Sequence, residues 1–361
     1  MRKSFCVVAV FIFVSSFLFA SLSFASETVD LSTIGVGARA IGLGRAYVGM
    51  ADDGSAIFTN PAGLTLNNKL KLISMSGNLI GEVPYTMVGA SRDMFGGVVG
   101  VGYIGLGVTG ISETILVGGT PEATGNSGSY VNSLIVLSYA KEIDSKYADR
   151  VGGNFKLMSQ GFSGSSSFEG GNASGFEIDL GAMKELDRNT NIGLTLKNII
   201  PGNNLGVDEL GMGIVFGGSK KLNINRMDLF VNADVEFKSG TFFHVGFELK
   251  PIRMLSLRLG FDQNGISSST STDLTYGLGF EFKGISFDYG YRSYNGLAEL
   301  GSSFFSIGYT PFDIKEKIKE EVKEKIIEKI EEKKVEEKKI IEVPKPVPVI
   351  QKVKELKKKS M

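Results

Sequence analysis

Between residues 69 and 312 apolar and polar positions alternate with a period of two, the pattern of β-strands that present one apolar face. Ile285, Phe287, Tyr289 and Tyr291 share one face of a strand, with Ser286, Asp288, Gly290 and Arg292 on the other. Leu274, Tyr276, Leu278, Phe280 and Phe282 alternate with Thr275, Gly277, Gly279 and Glu281. The same holds for Met227–Phe237, where Asp234 and Glu236 are on the polar face. Leu255–Phe261 carries Arg258 on its polar face, and Phe243–Leu249 carries His244. About fourteen such segments follow one another, starting near 69, 84, 96, 128, 150, 173, 190, 209, 226, 240, 252, 271, 284 and 300. The first few are weakly patterned. Stretches 118–129, 161–174 and 265–272, rich in Gly, Ser, Thr and Asn, read as loops, and Lys283-Gly284 as a tight turn.

A soluble sandwich would bury such apolar faces between two sheets. A transmembrane barrel would turn them to lipid and keep the polar faces inside. The long Phe- and Tyr-rich faces, the Gly-, Ser-, Asp- and Arg-rich opposite faces and an export signal favour the barrel. The expected fold is therefore all-β, an antiparallel transmembrane barrel over 69–312. With no tryptophan, an interfacial belt would be built from Tyr and Phe.

The two ends differ in kind from this middle. Residues 1–25 read as a signal peptide: Arg2 and Lys3, an apolar run from Phe5 to Phe19, and small residues at Ser23 and Ala25 before the expected cut. The only cysteine, Cys6, lies within it. At the other end, residues 313–361 hold 16 Lys and 12 acidic residues. Ile314, Ile318, Val322, Ile326 and Ile330 mark an amphipathic helix over 313–342, which could be solvated or bind a coiled-coil partner. Pro344, Pro346 and Pro348 then impose an extended stretch. The formal net charge of zero thus averages a basic leader, an acidic middle and a basic tail. It gives no footprint for a nucleic-acid partner. One histidine and one cysteine leave nothing from which to build a multi-histidine or thiolate metal site, and no cofactor is implied. No nucleophile motif supports an enzyme. The 47 glycines among 361 residues follow no collagen period.

Residues 26–68 precede the first strand. They contain Gly35-Val36-Gly37-Ala38-Arg39-Ala40-Ile41-Gly42-Leu43-Gly44-Arg45-Ala46, then Ala51-Asp52-Asp53-Gly54-Ser55-Ala56, then Asn60-Pro61-Ala62-Gly63-Leu64. The first of these fits a dinucleotide fingerprint only in letters, since it lacks the preceding buried strand and the βαβ unit. The joint pattern resembles the FadL/PorV superfamily of outer-membrane barrels. The resemblance implies a fourteen-stranded barrel in the bacterial cell outer membrane, with 26–68 folded into the lumen as a hatch. The charged tail, 313–361, falls outside the resemblance; an even strand count with a periplasmic N-terminus puts it in the periplasm. The resemblance further implies FadL-like uptake of hydrophobic or amphipathic small molecules. The alternatives are a PorV-like accessory barrel for exported proteins, or a structural barrel linking outer membrane to cell wall through 313–342.

Candidate hatch and gating residues are Asn60, Pro61, Ala62, Gly63, Asp52 and Asp53. The aspartates can cap a helical turn or accept from lumen arginines, and Pro61 can open a helical turn. A structural corner at Asn60-Pro61-Ala62 is the plainer reading of that motif. Asp234, Glu236, Arg258, Glu281, Asp288, Arg292 and His244 are expected to form a lumen polar network, the carboxylates pairing with Arg258 and Arg292.

Overall fold

A computed structural model describes residues 31, 34–66, 70–164, 171–200, 202–206, 208–266, 269–295 and 301–311. The expected signal peptide, the helix over 313–342, its Pro-rich extension and Phe312 lie outside them. The described residues begin with two short helices, α1 (Ala38–Gly42) and α2 (Ala56–Thr59), and a 3₁₀ helix at Pro61–Thr65. Strands β1 (Lys71–Leu79), β2 (Val83–Met94), β3 (Gly97–Val117), β4 (Thr120–Glu142), β5 (Arg150–Ser163), β6 (Ala173–Asp187) and β7 (Thr190–Lys197) follow. After a small hairpin of β8 (Asn204–Leu205) and β9 (Asp208–Glu209) come β10 (Gly213–Ile224), β11 (Met227–Phe237) and β12 (Thr241–Ile252). The chain continues through β13 (Leu255–Ile266), β14 (Ser269–Phe282), β15 (Ile285–Ser293) and β16 (Gly301–Tyr309). Fourteen of these, all but β8 and β9, close into one antiparallel barrel, with β1 sealed against β16.

Closure leaves no unpaired sheet edge, which a bilayer demands. Side chains such as Leu137, Leu157, Phe247, Leu278, Phe287 and Ile307 point outward and are exposed. An apolar face of this extent around a closed sheet is stable only in lipid. Turns at Phe95–Gly96, Asn225–Arg226 and Lys283–Gly284 each place two residues at positive φ, as the tightest hairpins require. They lie at the same end as the start of β1 and the end of β16. In outer-membrane barrels the short-turn end is periplasmic, so the longer connections are extracellular.

Strand starts follow the sequence pattern closely, with one large exception. The stretch 118–129 is not a loop. β3 and β4 stay paired up to the turn at Gly118–Gly119, although β3 leaves β2 after Leu106 and β4 meets β5 only from Ser129. A two-stranded ribbon therefore projects beyond the barrel. Outside lipid its strands need no apolar face, and polar residues complete the ladder equally well. Residues 265–266 and 269–272 likewise belong to the paired tips of β13 and β14.

β1 departs from the polar-in, apolar-out rule. Ile73, Met75 and Leu79 point inward and are buried, while Ser74, Ser76 and Asn78 face outward. The reason lies in the lumen. Residues 34–66 fill it, and their apolar side chains pack against this part of the wall in one core with Tyr85, Met87, Ile104 and Phe304.

Candidate functional site

The inner segment, residues 34–66, touches the wall almost all the way round. Its path depends on glycine. A Cβ at Gly260 would strike the backbone of Leu43 and Gly44, and one at Gly193 would strike the carbonyl of Val48. Gly246, Gly277 and Gly290 similarly admit Leu43, Gly42 and Ala38. Rows of inward glycines therefore form tracks on which the segment lies flat against the sheet.

Charged side chains fix it there. Arg39, on α1, makes a two-pronged contact with Glu248 of β12, Nε to Oε2 at 2.9 Å and Nη2 to Oε1 at 3.0 Å. Its Nη1 reaches Asp52 Oδ1 at 2.6 Å, and the Tyr47 hydroxyl donates to the same oxygen at 3.0 Å. Arg45 repeats the motif on β13, with Nε to Asp262 Oδ2 at 2.9 Å and Nη2 to Asp262 Oδ1 at 3.0 Å. Such fork-to-fork pairs fix orientation as well as adding energy. Each wall carboxylate is shared: Glu248 also takes Arg258 Nε at 2.7 Å. Asp262 also meets His244 Nδ1 at 2.8 Å and Arg292 Nη2 at 3.1 Å. Burial disfavours the Asp52 carboxylate, but the Arg39 guanidinium outweighs this and holds its pKa below the ordinary value. Burial pushes the Tyr47 phenol up, so it stays a donor.

Side-chain bonds to backbone groups complete the clasp. Asp234 Oδ2 accepts the backbone N–H groups of Tyr47 and Val48 at 2.7 and 2.8 Å. Asn60 is wholly buried. Its Oδ1 accepts from Ala62 N at 3.2 Å, capping the 3₁₀ helix that Pro61 opens. Its Nδ2 donates to Val48 O at 3.0 Å and across to Ala182 O of β6 at 3.3 Å. Asn154 donates to Ile57 O at 2.8 Å, and the Tyr85 hydroxyl to Gly35 O at 3.2 Å. Ala62 and Gly63 are buried with Asn60, and Gly63 lies so close to Ala51 that no side chain would fit. Asp53 caps locally, its Oδ1 accepting from Ser55 N at 2.8 Å.

The network differs in detail from the pairing expected from sequence. Arg258 does meet Asp288, at 2.7 Å, but its second partner is Glu248. Arg292 pairs with Asp262 and Asp273. Glu236 pairs with Lys197 at 3.1 Å and approaches His244 Nε2 at 3.4 Å. Asp234 serves backbone N–H groups rather than an arginine. Glu281 has the inward parity but stands exposed at the periplasmic end, with no ion pair among the described residues. Arg39, Arg45, Glu248, Asp262, Asp273 and Lys197 were not singled out from sequence. The only signal for the wall members was their place on polar strand faces. A second buried cluster, Lys156 with Glu177 at 3.2 Å and Asp179 at 2.8 Å, joins β5 to β6. It lies near the connection that carries β8 and β9, whose Leu205 is buried.

A cavity of about 40 Å³ lies between Val36, Arg45 and Phe58 of the inner segment and Lys197, Glu236 and His244 of the wall. That is room for about one water molecule. The lumen is occupied at this level.

Comparison with known proteins returns no matching family model and no matching curated protein. Solved structures do match. The Ralstonia pickettii toluene transporter TbuX aligns with a TM-score of 0.56 at 11% identity, over 77% of this chain and 99% of that one. The Pseudomonas putida toluene transporter TodX aligns with a TM-score of 0.54 at 14% identity, over 78% and 98%. A FadL homologue from Pseudomonas aeruginosa aligns at a TM-score of 0.46 and 10% identity. The chain shares the barrel fold of TbuX and TodX. In this barrel the inner segment is sealed to the wall by two arginine forks on one side and by apolar packing on the other.

Proposed function

We propose that this protein is an outer-membrane uptake channel for hydrophobic or amphipathic small molecules, with residues 26–68 as its hatch. The observation that carries this reading is the apolar sector of the inner wall. Met87, Ile104, Tyr85 and Phe304 face the lumen beside the hatch, and Leu79 and Val83 extend the surface to the rim. At rest the hatch covers this strip, and where the hatch withdraws an apolar solute gains free energy along it. The toluene transporters that share the fold support the same class of cargo.

In this reading the ligand enters from the extracellular side and spreads along the apolar strip. It passes when the hatch shifts relative to the glycine tracks. Arg39, Arg45 and the backbone of Tyr47 and Val48 form the moving half of the lock, with Asp52, Asp53 and the Asn60-Pro61-Ala62-Gly63 corner moving with them. Asp234, Glu248 and Asp262 form its fixed half. Held in place, the hatch blocks ions and small polar solutes.

Proteoliposomes test the reading. With the purified barrel inserted, radiolabelled toluene or a medium-chain fatty acid should reach an internal binding protein faster than through protein-free vesicles, while a sugar of similar size should not. Equal rates with and without a correctly folded barrel would overturn it.

A further inference from the structure

The apolar strip of the inner wall has no cation of its own. Between Leu72 and Ala140 the only basic residue is Arg92, which is exposed near the periplasmic turn at Phe95–Gly96. Residues 301–311 hold none. The strands that carry the strip, β1 to β4 and β16, therefore present no positive charge on the extracellular side of the hatch. Cations stand only at its two flanks. On one side Arg292 of β15 lies opposite Ser302 of β16, two positions beyond the pair of Gly290 with Phe304. On the other Lys156 of β5 lies opposite Val136 of β4, a member of the same apolar core.

Each flanking cation is already claimed by two carboxylates. Arg292 donates from Nε to Asp273 Oδ2 at 3.0 Å and pairs through Nη2 with Asp262 Oδ2 at 3.1 Å. Its Nη1 donates to the carbonyl of Ile34 at 3.2 Å, so all three nitrogens are engaged. Lys156 Nζ lies 3.2 Å from Glu177 Oε2 and 2.8 Å from Asp179 Oδ2, and all three residues are buried. The arginines of the inner segment are committed in the same way, Arg39 to Glu248 and Arg45 to Asp262. Asp234 adds a carboxylate that bonds backbone N–H groups.

A charge that leaves water for an apolar lumen has to be met by an opposite charge. An anion on the strip meets only cations that are already balanced, and the carboxylates behind them repel it. An uncharged solute meets neither obstacle and keeps the gain from apolar contact. We propose that the channel takes uncharged apolar solutes and refuses carboxylates, with Asp273 and Asp179 setting this choice by neutralising Arg292 and Lys156. The proposal rests on the channel reading and narrows its cargo: toluene passes and a fatty-acid anion does not. Asp262 also holds Arg45, whereas Asp273 bonds Arg292, Asn264 and Asn295 of the wall, so it can be changed without unfastening the inner segment.

Uptake by cells tests this. The full chain is expressed in a bacterial host that lacks its own channel for these solutes. Initial rates are measured with radiolabelled toluene and with radiolabelled decanoate, at a pH far above the decanoate pKa, and compared with cells without the chain. The native chain should raise toluene uptake and leave decanoate at the background rate. Asp273→Asn should raise decanoate uptake several-fold. Asp179→Asn should do the same through Lys156 on the other flank, which keeps the test intact if one variant fails to fold. A heat-modifiable gel shift identifies folded barrels. Decanoate uptake above background by the native chain, or background rates in both folded variants, would overturn the proposal while toluene uptake leaves the channel reading standing. A folded native barrel that carries neither solute would overturn the channel reading and the proposal with it.

Discussion

The inner wall has two halves that hold the same segment by different physics. On β11 to β15 the hatch is fastened by Arg39 to Glu248, Arg45 to Asp262, and Tyr47 and Val48 to Asp234. On β1 to β4 and β16 it is held mainly by apolar contact around Met75, Tyr85, Met87, Ile104 and Phe304, with Lys71 Nζ and the Tyr85 hydroxyl donating to Asp52 O and Gly35 O. Directional bonds set a position, whereas apolar surfaces tolerate sliding and accept other apolar matter. In the proposed channel, the charged half sets where the inner segment rests and the apolar half sets what passes beside it.

The largest effect is expected on the charged half. Asp262→Ala leaves Arg45, Arg292 and His244 buried without their shared carboxylate. Breaking such a buried cluster costs about 3–5 kcal/mol. Because the barrel sheet persists, the loss should appear as a freed hatch: higher ion conductance in planar bilayers and faster proteolysis within 34–66. Phe304→Ala, on the apolar half, removes a wholly buried ring that meets Tyr85 edge-on at 6.1 Å. It should cost about 3–5 kcal/mol at most, less where the site collapses. Its signature should be opposite in kind: faster toluene entry and unchanged ion conductance. If both variants change the same readout, the two halves are not distinct.

Asn60→Ala removes the 3₁₀ cap and the tie to Ala182. A drop of about 1–2 kcal/mol in hatch protection, read by hydrogen exchange at Ala62 and Gly63, is expected. The smallest effect is pH. Asp52 has a lowered pKa, so its bond to Arg39 contributes fully above the ordinary carboxylate range and is lost as pH falls through the folded value. Its side chain is 37% exposed, so solvent screens the pair. Conductance should rise slightly in acid, and Asp52→Asn should remove that rise.

Much of the barrel was legible because lipid enforces period two on each spanning strand. Segments expected near 150, 173 and 190 begin at Arg150, Ala173 and Thr190. Legibility failed where lipid exerts no such pressure. The ribbon of β3 and β4 lies beyond the barrel, and β1 takes its pattern from the hatch rather than the bilayer. The site was half legible. Inward Arg258, Arg292, Asp288, Glu236 and His244 could be read from strand parity. Their pairing could not, since Arg39 and Glu248 are 209 positions apart and Arg45 and Asp262 are 217. Only closure of the barrel around the segment brings them together.

The most direct test of a hatch locked by its charged wall is single-channel conductance of the purified barrel against Glu248→Gln with Asp262→Asn. These changes keep side-chain size and remove the two fork acceptors. The account predicts a nearly closed native barrel and large, fluctuating conductance in the double variant. A native barrel that already conducts freely, or a folded double variant that stays as closed as the native one, would contradict it.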